Sequence, residues 1–135
     1  MKNLEGKVVF ITGGSRGMGA AIAKRLASEG ASIAFTHTGK SQEKADAVLD
    51  ALHSKGVKAL ALITDYRKSE ALISALKAAE EKLGKIDILV NNAAMHFPQE
   101  SLLDIINEQL EQTFRTNIFS YFYLTRAALP YLKVG

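Results

Sequence analysis

Apolar and polar positions alternate between two regimes along this chain. Short apolar runs fall at 7–11, 32–36, 57–63 and 86–90, each about the length of one strand. Between them lie stretches with apolar residues at helical spacing, at 17–29, 41–55 and 68–83. Gly30, Gly56 and Gly84 each follow one of these helical stretches, where a glycine just past the end terminates a helix at little cost. Strands alternating with helices predict βαβ units and a parallel sheet. Val8-Val9-Phe10-Ile11 is apolar on both faces, which predicts a central, doubly covered strand and the order 3-2-1-4.

The last third, from about Asp104 to Leu132, carries Leu110, Phe114, Ile118, Tyr121, Thr125 and Leu129 at helical spacing. It predicts one long or broken helix with Asp104 or Asn107 as its cap and Pro130 ending or kinking it. No linker, repeat or low-complexity tract interrupts residues 1–135, so a single domain is expected.

Composition narrows the function classes. Apolar residues make up 47% and charged residues 23%, ordinary for a soluble globular protein. The absence of cysteine removes disulfides, thiolate metal sites and cysteine nucleophiles. His37, His53 and His96 are isolated, without metal-ligand spacing, so no metal is expected. A net charge of +3, with cations scattered among acids, gives no nucleic-acid footprint. No apolar stretch is long enough to span a bilayer and the start has no signal-peptide core, so no membrane association and a cytoplasmic location are expected.

The chemistry-bearing motif is Thr12-Gly13-Gly14-Ser15-Arg16-Gly17-Met18-Gly19, directly after the first apolar run and directly before the first helical stretch. Strand, glycine turn, helix is the context of a dinucleotide fingerprint. Glycines keep side chains out of the turn, so backbone N–H groups and a helix N-terminus can approach a pyrophosphate. Thr38-Gly39-Lys40-Ser41 imitates the end of a nucleotide-binding loop of the Walker type, but that motif needs a glycine where Ala34 stands, inside a strand-like run.

Thr-Gly-x-x-x-Gly-x-Gly, then Asp65, then Asn91-Asn92-Ala93-Ala94, then Asn117, in that order at those strand ends, resembles the short-chain dehydrogenase/reductase family. The resemblance runs along the whole chain but matches only the N-terminal half of the family's fold. It implies a Rossmann-type α/β fold, a doubly wound parallel sheet ending here before a fifth strand that would cover the edge of strand 4. Ala94 departs from the family's usual glycine.

The resemblance also implies residue roles. Thr12 to Gly19, His37, Thr38, Asp65, Tyr66, Asn91, Ala93 and Ala94 would serve the cofactor, and Asn117 the catalytic relay. His37 occupies the place where NAD-preferring sites carry an acid, and no Asp or Glu lies between Ala31 and Gln42. Arg16 would pair a 2′-phosphate, with Thr38, Lys40 or Ser41 donating; NADP is therefore expected over NAD. Its alternative is a solvated turn residue. Asp65 would accept from the adenine amino group, or cap the helix after it, a task Ser69 could share. Asn91 would line the cofactor or brace the sheet, and Thr12 would tie the turn together. Asn117 would bend its helix and hold a water of the proton relay, or satisfy a backbone group locally. His96, Phe97, Pro98 and Gln99 would border a substrate mouth, or be ordinary loop residues.

The family's reaction is hydride transfer between nicotinamide and a small carbonyl or alcohol substrate. Its acid–base pair is Tyr-x-x-x-Lys, with a Ser that positions the substrate oxygen. Four residues after Tyr66, Tyr121, Tyr123 and Tyr131 stand Glu70, Thr125, Ala127 and Gly135. Little or no turnover is expected of this polypeptide alone; a non-catalytic dinucleotide-binding or interaction module is the alternative. The aromatic density of Phe114, Phe119, Tyr121, Phe122 and Tyr123 exceeds one buried helix face, and the family would use this segment, 104–132, to form a homo-oligomer (dimer or tetramer). The alternative packs the extra aromatics under the sheet.

Overall fold

The computed structural model describes residues 2–132. Four parallel strands, β1 (Val8–Ile11), β2 (Ser32–His37), β3 (Ala59–Ile63) and β4 (Ile88–Val90), form a sheet in the order β3-β2-β1-β4. Helices α1 (Gly17–Ser28), α2 (Gln42–Ser54) and α3 (Ser69–Leu83) connect them. After β4 come a 3₁₀ turn at Leu102–Asp104, α4 (Asn107–Phe114), a π-helical turn at Arg115–Phe119 and α5 (Ser120–Ala128). This is the Rossmann-type doubly wound arrangement expected.

Alternation along β1 explains why two layers of helix are needed. Val8 and Phe10 face a core with Leu72, Leu76, Ile86 and Leu124, contributed by α3, α5 and the approach to β4. Val9 and Ile11 face the opposite core with Ala23, Ala27, Val48 and Leu52 of α1 and α2. Phe10, Ile11, Ile33 and Phe35 are fully buried, each removing about 1.5–3 kcal/mol worth of apolar surface from water.

Several boundaries are tighter than the apolar runs. β4 starts at Ile88 because the ladder is opened by a side chain: the Val8 N–H donates to Asp87 Oδ2 at 2.9 Å, and the Asp87 N–H donates to the Val8 carbonyl. β3 starts at Ala59, paired only to β2. Gly30 and Gly56 stand one residue past the helix caps, at φ of +94° and +81°, as expected. Gly84 is itself the cap of α3.

The last segment departs most from expectation. Neither Asp104 nor Asn107 caps α4: Asp104 closes the 3₁₀ turn, Asn107 is already helical, and Ile106 holds the cap position. The stripe of Leu110, Phe114, Ile118 and Leu129 is exposed; Thr116, Ser120, Leu124 and Ala128 turn inward instead. These four recur every fourth residue, so they share one helix face, and Leu124 and Ala128 join the core that α3 lines. Phe119 and Phe122 are also exposed, so the extra aromatics do not pack under the sheet.

Candidate functional site

A cleft of about 740 Å³ opens at the carboxyl ends of the strands, the end where ligands lie in such sheets. Its floor is the turn between β1 and α1. Gly13 sits at φ +71°, which favours glycine, and Gly14 and Gly19 are closely approached: a Cβ at Gly14 would collide with the Phe35 ring, and one at Gly19 with the Gly13 carbonyl. Gly13, Ser15, Arg16, Gly17 and Met18 line the cleft, and α1 starts at Gly17 with no side-chain cap on its leading N–H groups. Those groups lack intrahelical partners and carry the positive end of the helix dipole.

The turn is held from three strands. Gly14 donates to the Thr36 carbonyl at 3.0 Å, and Gly13 donates to the Tyr66 hydroxyl at 3.1 Å. The Tyr66 and Thr36 hydroxyls share a buried bond of 2.8 Å. Burial pushes the Tyr66 phenol above its ordinary pKa, so it stays protonated beneath the turn. Thr12 is buried; its hydroxyl accepts from the N–H groups of Asn92 and Ala93, both at 3.0 Å, which locks β1 to the segment after β4.

At the far end of the cleft, His37, Thr38, Gly39, Lys40, Ser41 and Lys44 line the wall. His37 Nδ1 accepts from the Gly39 N–H at 3.2 Å, which puts the ring proton on Nε2. Burial lowers its pKa, against the opposing influence of Asp46, so the ring is neutral at physiological pH. Asp65 lines the cleft too, but its carboxylate already accepts from Arg67 at three positions, the backbone N–H, Nε and a terminal nitrogen, each at 3.0 Å. Those bonds hold the carboxyl below its ordinary pKa. Asp65 does not cap α3, whose cap position is Lys68.

Near β4 the two asparagines divide their work. Asn91 Nδ2 donates to Thr125 Oγ1 on α5 at 3.0 Å, beneath the cleft and not into it. Asn92 lines the cleft and donates from Nδ2 to the Gly13 carbonyl at 3.0 Å. Ala93, Ala94, Met95, Phe97, Gln112 and Thr116 complete this wall. Asn117 does not act locally: Oδ1 accepts from the Met95 N–H at 2.8 Å and Nδ2 donates to the Met95 carbonyl at 2.7 Å. Asn117 itself lies in the π-helical turn, Arg115–Phe119.

The expected residues therefore split into two groups. Gly13, Ser15, Arg16, Gly17, Met18, His37, Thr38, Asp65, Tyr66, Ala93 and Ala94 meet at the cleft, whereas Thr12, Gly14, Gly19, Asn91 and Asn117 support it from behind. His96, Pro98 and Gln99 lie off its lining, while Phe97 is on it. Asn92, Arg67 and Lys44 were missed by sequence reasoning. Lys44 had a signal, since it stands in the first turn of the helix that follows β2; Arg67 had none beyond its closeness to Asp65.

Among the described residues no group of acids and histidines could hold a metal, and no helix is long and apolar enough to cross a membrane. The family model described as short chain dehydrogenase matches residues 7–135. General stress protein 39 of Bacillus subtilis (strain 168) is 43% identical over 132 residues, covering 98% of this chain and 46% of that protein. NADPH-dependent aldehyde reductase 1, chloroplastic, of Arabidopsis thaliana is 42% identical over 138 residues, covering 98% and 48%. A short chain dehydrogenase from Burkholderia cenocepacia, solved in complex with NADP, superposes with a TM-score of 0.91 at 40% identity, covering 96% of this chain and 52% of that one. The chain spans about half the length of the relatives it matches.

Proposed function

We propose, from the premise that this chain belongs to the short-chain dehydrogenase family, that its cleft binds NADP(H) in the service of carbonyl reduction or alcohol oxidation. The observation that carries the reading is the pairing of two features in one cleft. A glycine turn and a helix N-terminus form its floor, while Arg16, Lys40 and Lys44 line it, with a neutral His37 where an NAD site carries an acid. The glycine cradle fits a pyrophosphate, since side chains at Gly14 and Gly19 would displace the turn itself. The relatives' NADPH dependence and bound NADP support the same choice.

When bound, the nicotinamide supplies the hydride chemistry. The chain's own residues bind and orient: the N–H groups from Ser15 to Met18 meet the diphosphate, and Arg16 with Lys40 or Lys44 meets the 2′-phosphate. Asp65 orients the adenine side through its exposed edge. Asn117 holds Met95 in place behind the opposite wall. No Tyr in the sequence is followed four residues on by Lys, so the polypeptide holds no acid–base pair of the family's kind. A second reading is a module that binds the dinucleotide, or only associates with a partner, and does no chemistry.

Parallel titration with NADPH and NADH, followed by nicotinamide fluorescence, tests the reading. NADPH should bind more tightly, and Arg16→Ala should weaken NADPH about tenfold, the loss of one charge-assisted contact, while leaving NADH within about twofold. Equal affinity for the two cofactors, or an equal loss of both on substitution, rejects the 2′-phosphate role. Robust carbonyl reduction by the pure chain rejects its expected lack of turnover.

A further inference from the structure

The Ala93 carbonyl accepts a hydrogen bond from the Tyr121 hydroxyl, at 2.7 Å. The same residue's N–H donates to Thr12 Oγ1 at 3.0 Å. Two residues on, Met95 is gripped by both atoms of the Asn117 amide. Ala94 lies between these fixed neighbours, exposed, on the cleft wall. Asn117 and Tyr121 are four residues apart, so one helix face presents both to the same loop.

Peptide planarity gives this arrangement a consequence. The Ala93 carbonyl and the Ala94 N–H belong to one rigid trans peptide group and point in opposite directions. Drawing the carbonyl toward α5 turns the N–H away from α5. Among the described residues the Ala94 N–H has no protein acceptor. Burial pushes the Tyr121 phenol above its ordinary pKa, so the hydroxyl keeps its proton and remains a donor.

We propose that Tyr121 is a positioning residue, which sets the Ala93–Ala94 peptide so that the Ala94 N–H stands ready as a donor to the nicotinamide-side half of a dinucleotide. This rests on the dinucleotide reading of the cleft. A donor fixed before binding has no ordering cost to meet when the ligand arrives. The adenosine end is untouched, because Tyr121 makes its bond at the β4 wall and the adenosine end is formed by residues 37–44.

Tyr121→Phe removes the hydroxyl and keeps the ring. Two ligands separate the ends of the cleft: NADPH, and adenosine 2′,5′-bisphosphate, which has no nicotinamide half. Affinity for NADPH should fall about fivefold, the effect of one ordinary hydrogen bond, with bisphosphate affinity nearly unchanged. In the ligand-free chain the backbone order parameter at Ala94 should drop from the rigid range, about 0.85, toward about 0.6. Equal losses for both ligands, an unchanged NADPH affinity, or an unchanged order parameter overturns the role of Tyr121. Failure of the wild-type chain to bind either ligand overturns the dinucleotide reading itself, and the order parameter still decides whether Tyr121 holds the loop.

Discussion

The helices that connect the strands and the helical arm after β4 solve the same packing problem in opposite ways. Between them, α1, α2 and α3 leave Met18 as their one exposed large apolar side chain among the described residues, while Val48, Leu52, Leu72 and Leu76 are buried. The arm buries Thr116, Ser120, Leu124 and Ala128 and exposes Leu110, Phe114, Ile118, Phe119, Phe122 and Leu129. The first group is anchored by apolar burial. The arm buries only Leu124 and Ala128 in the apolar core and adds polar bonds to the segment after β4: Asn91 to Thr125, Asn117 to Met95, Tyr121 to Ala93. Hydrophobic spacing alone thus predicts a helix but not what holds it.

The sharpest way to break this comparison is a pair of truncations. Leu72→Ala, in the core between α3 and β1, should cost about 3 kcal/mol by urea unfolding, the usual penalty for a cavity at a fully buried leucine. Phe122→Ala on α5, at 60% exposure, should cost less than about 1 kcal/mol. A comparable loss at Phe122 would mean that the exposed stripe is packed in solution, against a second copy or another partner.

Next in size is Asn117→Ala, which strips the two bonds to Met95 and should cost about 2 kcal/mol. The effect should be local. Amide exchange should quicken through α4, the π-helical turn and α5 while α1 to α3 keep their protection. Uniform acceleration throughout the chain would show that the arm and the sheet unfold as one unit.

The smallest effect concerns His37, which belongs to the apolar-anchored part. Burial lowers its pKa in the folded chain below the ordinary value of 6.5. Below about pH 6.5 the unfolded chain binds a proton that the folded chain resists, so this contribution is fully present above that pH and is lost as pH falls toward the folded value. Urea midpoints should therefore drop more between pH 7.5 and pH 5.5 for wild type than for His37→Gln. Equal drops would assign the acid sensitivity to other groups.

Much of the molecule was legible without its tertiary structure, and the reason is that the legible features are local. Apolar period, terminal glycines and the strand–turn–helix context each concern neighbours in sequence, and they yielded four parallel strands, three connecting helices and the turn at residues 12–19. The strand order followed from one further fact, that Val8 to Ile11 is apolar on both faces. Which face of a helix turns inward is a different kind of question. Residues 107–128 carry a stripe of large apolar side chains and a mixed stripe of Thr116, Ser120, Leu124 and Ala128, and only the tertiary packing selects the mixed one. The same holds at the cleft. Asn91 and Asn92 are adjacent and identical, yet just past the end of β4 one side chain reaches α5 and the other the glycine turn. Tyr66 and Tyr121 acquire their roles only from partners that folding brings to them, because a hydrogen bond between distant residues leaves no period in the sequence.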